Sequence, residues 1–416
     1  MEEFHIYLIL TAIFGLFMAW GIGANDVANA MATSVGSKAL TVKSAIIIAA
    51  IFEFAGAWLA GGEVTKTIRK GIVDTSLFVG QPEVLIWGML ASLLAAGVWL
   101  LFASQRGWPV STTHSIVGAI VGFTMVGVST NAVDWSSVGT IVMSWVVSPL
   151  MAGTIAFTIQ ISILKFILNT EDPVKNALRY GPVYIFAVGT MIMLVTLKKG
   201  LKNIGLSFSE PQCFGLALLT GLVVAALGTA MIKRLHKTSP TKTHIEFNPV
   251  ERIFAVLMIF TASAMAFAHG SNDVANAVGP MAAVINTVQT GTVTAEAGLA
   301  TWILLIGALG IVVGLSTYGF KVMRTIGKKI TELTPTRGFS AEMAAASTVV
   351  LASYIGAPIS TTHTLIGAVI GVGLARGKQQ VEFSTVTRIF ASWLVTLPAG
   401  AILSIIFFYL LRAIFS

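Results

Sequence analysis

Charged residues are scarce in this 416-residue chain. Asp, Glu, Lys and Arg make up only 11% of it, whereas soluble domains carry about 25%. A soluble protein with so little charge would lack a polar surface to face water, so the composition excludes an ordinary soluble domain. Hydrophobic residues account for 55% of the chain. Uncharged runs long enough to cross the ~30 Å hydrocarbon layer of a bilayer recur along it. The sequence therefore predicts an all-α polytopic membrane protein.

Cysteine is nearly absent, and so is the alternation of polar and apolar residues that marks a transmembrane β-barrel. Cys213 is the single cysteine, which excludes an intrachain disulfide. Barrel strands alternate over about ten residues, but the apolar runs here are continuous. The net charge of +8 does not indicate a nucleic-acid partner, because Lys and Arg lie mostly between the apolar runs, as in the cytoplasmic loops of membrane proteins.

Three motifs occur twice in the chain, in the same order and at nearly the same spacing. Asn25 lies in GIGANDVANA and Asn272 in AHGSNDVANA, while GWPVSTTHSIVGAIVG begins at Gly107 and GAPISTTHTLIGAVIG at Gly356. A weaker pair is SWVVSP and SWLVTLP. Such agreement indicates a duplicated unit. We expect residues 1–170 to form the first repeat, 171–250 a linker with two transmembrane helices and a polar central loop, and 251–416 the second repeat.

The number of crossings predicts that the two repeats are inverted relative to each other. The first unit has three apolar crossings, and the segment around RGWPVSTTH is interpreted as a re-entrant hairpin that enters and leaves on one side. Two further spans in the linker bring the count to five, and an odd number turns the second unit upside down. We therefore expect two inverted-topology repeats, each with a broken helix and a re-entrant helical hairpin. The total is about 12 membrane helices and half-helices.

The basic residues of the loops favour an orientation in the cell (inner) membrane with the N- and C-termini outside. In that orientation most of the loop charges fall inside, as the positive-inside tendency requires. Those charges are Lys38, Lys43, Lys233, Arg234, Lys237, Lys242, the run 321–337, Arg376 and Lys378. The segment with Lys66, Arg69 and Lys70 is an exception, because it would lie outside. The acidic N-terminal stretch is expected to begin the first helix rather than to form a removable signal peptide.

Each repeat contains a Ser-Thr-Thr-His segment at a predicted helix start. Pro109 and Pro358 interrupt any helix that arrives from upstream, and Ser and Thr are favoured N-caps. The first N–H groups of a helix have no intrahelical partner, and the helix dipole adds partial positive charge there. Two such starts, brought to the midplane by inversion, would form a site for a tetrahedral oxyanion. The candidate anion ligands are Ser111, Thr112, Thr113, Ser360, Thr361 and Thr362.

Alternative roles for these segments remain open. Ser and Thr also serve as simple helix caps or as interhelical hydrogen-bond donors, although the repetition of the whole triplet favours a ligand site. His114 and His363 follow the triplets. Each histidine could bind the ligand or hydrogen-bond a neighbouring helix, so both are lesser candidates.

Asp26 and Asp273 are the costly residues of the apolar runs. A carboxylate at the bilayer centre costs about 2.5–3.5 kcal/mol on insertion scales, so each must face a cation, a donor or a proton. Asn25 and Asn272 precede them and add amide oxygens, and this set of hard oxygen ligands indicates a Na⁺ site. A hydrogen-bond network without an ion and a proton-carrying Asp are the alternatives. Lesser candidates one helical turn further on are Asn29 and Asn276.

Two glutamates and three glycines accompany these motifs. Glu53 lies inside the second apolar run and is a lesser functional candidate, because an ionisable residue within a membrane span marks function by default. Glu342 is interpreted as an ordinary acidic residue in a first helical turn. Gly21, Gly23 and Gly270 are expected to loosen their helices and to free backbone carbonyls.

The motifs GANDVANA, GSNDVANA and the two P[VI]STTH segments resemble the signatures of the inorganic phosphate transporter (PiT) family of symporters. The resemblance covers essentially the whole chain and extends to FEFAGAWLAGGEVTKTIRKGI from Phe52, which is similar to the glutamate-containing second helix of the family. It implies two inverted repeats and transport of inorganic phosphate with Na⁺ or H⁺. By position, it implies that the two Ser-Thr-Thr triplets bind phosphate and that the two Asn-Asp pairs serve the coupling cation.

The predicted function is a secondary active transporter (symporter) that moves inorganic phosphate on a Na⁺ gradient by alternating access within the lipid bilayer. We expect no enzyme activity, no cofactor besides the coupling ion and no nucleic-acid partner, and a homodimer is left open. An H⁺-coupled symporter of phosphate, metal-phosphate or sulfate is the nearest alternative.

Two further alternatives come from other function classes. A passive anion channel is disfavoured because buried carboxylates would repel the anion. A membrane hydrolase that uses Ser111 and His114 is disfavoured because no acid or metal cluster completes a catalytic set.

Overall fold

Long apolar helices form the described part of the chain. In this computed structural model it comprises residues 2–200, 205–237, 248–293, 299–326, 333–377, 379 and 381–416. Eight helices within these ranges are long and apolar enough to cross a membrane, and three shorter apolar helices accompany them. The described residues contain no strand beyond an isolated bridge between Val73 and Val133. The predicted all-α polytopic membrane fold is confirmed.

Fifteen α-helices are described. Those of the first half are α1 (Glu2–Gly36), α2 (Val42–Ala60), α3 (Gly62–Lys70), α4 (Pro82–Gln105), α5 (Thr112–Gly127) and α6 (Trp135–Ile163). The linker contributes α7 (Pro173–Val195) and α8 (Glu210–Lys237). The second half contains α9 (Pro249–Asp273), α10 (Ala275–Thr290), α11 (Thr301–Thr317), α12 (Gly319–Ile326), α13 (Pro335–Tyr354), α14 (Thr361–Ala375) and α15 (Phe383–Phe415).

Several helix starts are fixed by polar caps at the ends of apolar runs. Asp134 accepts a hydrogen bond from the backbone N–H of Ser137 at 3.0 Å and so caps α6. Asn248 accepts from the N–H of Val250 at 2.7 Å, and Pro249 occupies the first position of α9. A proline is favoured there because its missing N–H would have no helical partner. The caps place the helix ends where the apolar sequence stops.

The two Asn-Asp helices run antiparallel. Ser37, just after α1, donates to the sulfur of Met258 in α9 at 3.4 Å. Gly15, nearer the N-terminus of α1, lies against Met281 of α10 instead. Contacts that pair the end of one helix with the start of its counterpart are those of inverted repeats, in agreement with the predicted fold class. The boundaries at residues 170 and 250 remain a prediction, and most of the central polar loop lies outside the described residues.

The hairpin of the first half enters and leaves on one side. Residues just before α4 pair with residues just after α5, because the N–H of Asp74 donates to Ala132 at 2.9 Å and the N–H of Asp134 donates to Ile72 at 3.0 Å. Helix α4 runs parallel to α1, and Trp87 donates to the hydroxyl of Tyr7 at 3.0 Å near their N-terminal ends. The re-entrant geometry brings the end of α4 to the depth of the Asn-Asp motif.

Glycines of α1 and α9 allow close contact between helices, which differs from the role expected of them. Helix α1 is continuous through Gly21 and Gly23, and α9 is helical through Gly270. A Cβ on Gly270 would overlap the carbonyl of Glu53 in α2, and a Cβ on Gly23 would overlap that of Ile311 in α11. The expectation that these glycines free carbonyls is therefore wrong, because their role is close helix approach. The one interruption in this pair of helices is at Val274, between α9 and α10.

Replacing Gly270 by alanine tests this close approach. We expect Gly270→Ala to destabilise the protein by about 1–3 kcal/mol, because the methyl group overpacks against the backbone of α2. Gly139→Ala is the matched control, since a Cβ there meets nothing within 4 Å. Thermal unfolding in detergent should show a lower midpoint for Gly270→Ala only. Equal midpoints for the two variants would contradict the close packing of α2 on α9.

Candidate functional site

The two Ser-Thr-Thr segments lie together where the tips of the two hairpins meet. The hydroxyl of Thr113 donates to the carbonyl of Ile359 in the other hairpin at 2.9 Å. In return, the hydroxyl of Thr362 donates to the carbonyl of Val110 at 3.3 Å. All four residues are buried. Two helix N-termini, those of α5 and α14, are thus brought to one place, as the inverted topology predicts.

Ser111 and Ser360 are the N-caps of these helices. The Oγ of Ser111 accepts from the N–H of His114, and the Oγ of Ser360 accepts from the N–H of His363, both at 3.2 Å. A capping hydroxyl keeps its own proton, so it can donate to an anion while it accepts from the backbone. The cap interpretation and the anion-ligand interpretation are therefore compatible.

Asn29 and Asn276 connect the two repeats. The amide nitrogen of Asn29, in the first repeat, donates to the hydroxyls of Thr361 at 3.3 Å and Thr362 at 2.8 Å in the second. Asn276 makes the equivalent pair of bonds with the threonines of the first triplet, both at 3.2 Å. Each asparagine thus binds the triplet of the opposite repeat. These lesser candidates lie directly at the triplets.

Asn25 and Asn272 hold the hairpin breaks of their own repeats. The amide nitrogen of Asn25 donates to Ser104 and to the carbonyl of Trp108, both at 3.0 Å, and its oxygen accepts from the N–H of Val110 at 3.3 Å. Asn272 donates in the same way to the serine and the carbonyl that precede the second break. These bonds replace backbone bonds that a helix would make. The cation-ligand role of both asparagines remains a prediction.

Asp26 and Asp273 lie close together at the centre of this cluster. Neither carboxylate oxygen of Asp26 accepts a hydrogen bond of good geometry among the described residues, although Thr112 lies beside it, and one oxygen of Asp273 also accepts none. The second oxygen of Asp273 accepts from Thr361 at 2.8 Å. Ligand atoms of Asp26, Asp273 and His269 lie within 4.8 Å of one another. Two buried carboxylates at this separation repel each other, so a cation or a proton between them would be stabilised.

His269 is a residue that the sequence analysis missed. Its Nε2 lies 3.0 Å from a carboxylate oxygen of Asp273, and its Nδ1 lies 3.3 Å from one of Glu53. All three side chains are fully buried. Comparison of the two motifs emphasises what the repeats share, whereas His269 is where they differ, because GIGAND has Ile22 at that position and AHGSND has the histidine. That difference between the two motifs could have identified His269 as a candidate.

Glu342 is a second correction. It is the eighth residue of α13 and fully buried, so its interpretation as an ordinary acidic residue of a first helical turn is wrong. Its carboxylate accepts from the hydroxyls of Thr33 and Ser34, and from Thr261 at 2.8 Å. Three donors from two helices satisfy the charge, as a buried carboxylate requires. Glu342 thereby ties α13 to both α1 and α9.

His114 and His363 lie against the long helices α6 and α15. Their ring centroids are 4.5 Å apart, and His363 stacks on Trp393 at 3.3 Å. The Nδ1 of His363 is 3.3 Å from the carbonyl of Trp145, which Pro149 leaves without its usual helical donor. Both imidazoles line an apolar cavity of 810 Å³ between α6, α14 and α15. This geometry favours the interhelical role, and a ligand role for either histidine remains a prediction.

The known proteins that this chain resembles are named as phosphate transporters and permeases. A model described as the phosphate transporter family matches residues 22–404. A Haemophilus influenzae protein named as a phosphate permease is 51% identical over 411 residues, which are 98% of this chain and 97% of that relative. The chloroplastic inorganic phosphate transporter 2-1 of Arabidopsis thaliana is 44% identical over 427 residues, 98% of this chain and 72% of the relative.

A solved structure adds the same indication at the level of the fold. It is described as the sodium-dependent phosphate transporter, with a TM-score of 0.91 and 40% sequence identity. The alignment covers 98% of this chain and 100% of the solved chain. The similarity therefore includes both halves and the linker helices rather than one repeat alone.

Replacing Asp26 by asparagine tests the electrostatics of the cluster. We expect Asp26→Asn to unfold in Na⁺-free buffer at the wild-type midpoint or up to about 2–4 °C above it, because asparagine replaces a buried carboxyl group that lies beside that of Asp273. The variant should also lose any stabilisation by added Na⁺. Asp134→Asn is the control, since asparagine also caps helices. A full Na⁺-dependent shift in Asp26→Asn would rule out Asp26 as a cation ligand.

Proposed function

The chain belongs to the phosphate transporter family, and from this premise we propose that it is a symporter that moves inorganic phosphate on a Na⁺ gradient by alternating access. The family and the relatives are transporters and permeases rather than enzymes, so the hydrolase alternative is set aside. The fold is that of a multi-pass membrane protein. Its placement in the cell (inner) membrane with both termini outside is part of the proposal.

Phosphate would bind at the meeting point of the two N-capped helices. The single observation that carries this step is the reciprocal contact of the two Ser-Thr-Thr tips, Thr113 to Ile359 and Thr362 to Val110. The donors there are hydroxyls, amides and helix N-termini, and none is a cation. Neutral donors favour an oxyanion without holding it irreversibly, which suits a carrier that must release its substrate.

Cations must accompany the anion because of the adjacent carboxylates. Asp26 and Asp273 lie beside the triplets, and Thr361 already donates to Asp273 at 2.8 Å. Phosphate carries one or two negative charges near neutral pH, so it would be repelled by these carboxylates unless a cation offset them. This requirement supports symport over a passive channel. The printed description of the similar solved structure, sodium-dependent, supports Na⁺ as that cation.

A second candidate is an H⁺-coupled symporter, which His269 favours. This imidazole lies between the carboxylates of Glu53 and Asp273, at 3.3 Å and 3.0 Å. A histidine between two carboxylates can hold a proton in the membrane interior. Sulfate or metal-phosphate in place of phosphate would use the same neutral donors, so the transport assay must include these substrates.

The burial of the cluster supports alternating access. Each of the twelve residues proposed for phosphate or cation binding is at most 2% exposed. They are Ser111, Thr112, Thr113, Ser360, Thr361, Thr362, Asn25, Asp26, Asn29, Asn272, Asp273 and Asn276. A site buried from both membrane faces is expected of an occluded carrier state, whereas a channel needs a continuous aqueous path. Helix inversion supplies two equivalent ways to open it.

Uptake by proteoliposomes tests the coupling ion. We expect radiolabelled phosphate to accumulate with an inward Na⁺ gradient and not when K⁺ replaces Na⁺, because Na⁺ offsets the carboxylates of the cluster. Uptake on a proton gradient alone would instead support the role of His269 as proton carrier. Sulfate and divalent metal-phosphate are tested in parallel. Cation-independent conductive flux would overturn the symport proposal.

Removal of the capping hydroxyls tests the anion site. Ser111→Ala combined with Ser360→Ala should raise the KM for phosphate about tenfold or more, since a hydrogen bond to a charged group contributes about 1.5–3 kcal/mol. The unfolding midpoint must be measured as well, because loss of two N-caps also costs stability. The exposed Ser136→Ala is the control. An unchanged KM in a folded double variant would remove these serines from the site.

A further inference from the structure

Arg69 is a buried cation for which the described residues provide no partner. It lies near the end of α3, outside the helices that cross the membrane, and is 7% exposed. Its Nη1 makes no hydrogen bond, and no carboxylate of the described residues forms an ion pair with it. An unpaired buried charge is strongly unfavourable, so such residues are retained where something else supplies the counter-charge.

Lys66, the neighbouring cation on the same helix, differs from Arg69 because it has a carboxylate partner. Lys66 lies one turn before Arg69, its side chain is 53% exposed, and it pairs with Glu63 at 2.6 Å. The helix therefore carries an acidic residue, but that residue neutralises the lysine at the water-facing edge. Arg69 remains positive and unneutralised at the inner edge. Within the described residues, Arg69 is therefore left without a counter-charge, and an external anion can supply one.

Helix α3 connects Arg69 to the transport site. The hydroxyl of Thr67 donates to the carbonyl of Gly356, in the break of the second hairpin, at 2.7 Å. Ile68 packs against Gly279 of α10, and α10 also contains Asn276, which binds the first triplet. Thr67 and Ile68, which precede Arg69, thus contact the break of the second hairpin and α10, the two elements beside the proposed anion site.

The position of α3 places Arg69 near one membrane face. Ile72, three residues after Arg69, accepts from the N–H of Asp134 at 3.0 Å, and Asp134 lies where the first hairpin has returned to its side of entrance. Arg69 is therefore between that face and the hairpin tips. In the orientation deduced from the loop charges this face is outside, and the Lys66–Lys70 segment is the exception to the positive-inside tendency. Attraction of anions gives a physical reason for the exception.

We propose that Arg69 forms a second anion site, at which inorganic phosphate is captured before it passes to the Ser-Thr-Thr site. This inference rests on the proposed transport of phosphate. A guanidinium presents parallel N–H donors that match two oxygens of a phosphate. Separation of a charged capture site from a neutral transport site lets the protein attract its substrate strongly and still release it.

Cysteine chemistry tests the charge at this position. Arg69→Cys should raise the KM for phosphate about tenfold, in line with the loss of a charged hydrogen bond, and should change the maximal rate less. A positively charged methanethiosulfonate adduct at position 69 should bring the KM back to within about threefold of wild type. A neutral adduct should not restore it, and a negatively charged one should raise it further. Wild type is the background control, since its single cysteine, Cys213, is 2% exposed.

Lys66→Cys is the matched control, because this residue is on the same helix but is exposed and already paired. The same reagents should leave its KM for phosphate within about twofold of wild type. The proposal is overturned if Arg69→Cys keeps the wild-type KM, if positive and neutral adducts behave alike, or if position 69 is not labelled from either membrane face.

A binding measurement separates this inference from the proposed function and from the case in which Arg69→Cys does not fold. Phenylglyoxal modifies arginine, and peptide mass spectrometry can follow Arg69 in the purified wild-type protein, with the exposed Arg412 as control. Inorganic phosphate should slow modification of Arg69 alone. Protection by anionic lipid but not by inorganic phosphate would overturn the capture site. Protection without any phosphate uptake would instead contradict the proposed transport function.

Discussion

The central constraint of the structure is the close approach of two buried carboxylates that come from opposite repeats. Asp26 and Asp273 lie in opposite repeats, and their ligand atoms come within 4.8 Å of those of His269 and of each other. The hydroxyl and amide groups beside them carry no positive charge, so the anion proposed to bind there would need a cation or a proton to offset the carboxylates. Close helix packing around Gly23 and Gly270 and the meeting of the two hairpin tips keep water away from this point. Because water is excluded, the repulsion between the carboxylates and any nearby anion is stronger than it would be in water.

Much of this architecture was predictable because a duplicated unit repeats its motifs along the sequence. The paired motifs gave the inverted repeats and the hairpins, and proline followed by Ser-Thr-Thr gave the two N-caps, which the bonds of Ser111 and Ser360 confirm. These features depend on short-range rules of helix termination and capping. These features can therefore be predicted from the sequence without knowledge of the remainder of the fold.

The spacing of the asparagines could not predict which hairpin each of them binds. Asn25 and Asn29 lie on one helix face, as expected, but one turn of helix, about 5.4 Å, separates the two hairpin tips along α1. Asn25 consequently binds its own hairpin break, and Asn29 binds the triplet of the other repeat. Glu342 was misjudged for a similar reason. Its partners Thr33 and Thr261 are distant in sequence, and only the packing of α13 between α1 and α9 brings them together.

The charged residues that the repeats do not share have a consequence for energetics. His269 and Glu53 correspond to Ile22 and Ile311, since Gly270 packs on the backbone of Glu53 as Gly23 packs on that of Ile311. If the two halves of the proposed carrier were identical, a two-fold rotation would relate the conformation open to one compartment to the conformation open to the other, and the two would have equal free energy. The Glu53–His269–Asp273 chain is one feature that breaks this symmetry. In the proposed carrier, the preferred resting state would therefore depend on side chains that the two halves do not share, and not only on the Ser-Thr-Thr segments that both halves contain.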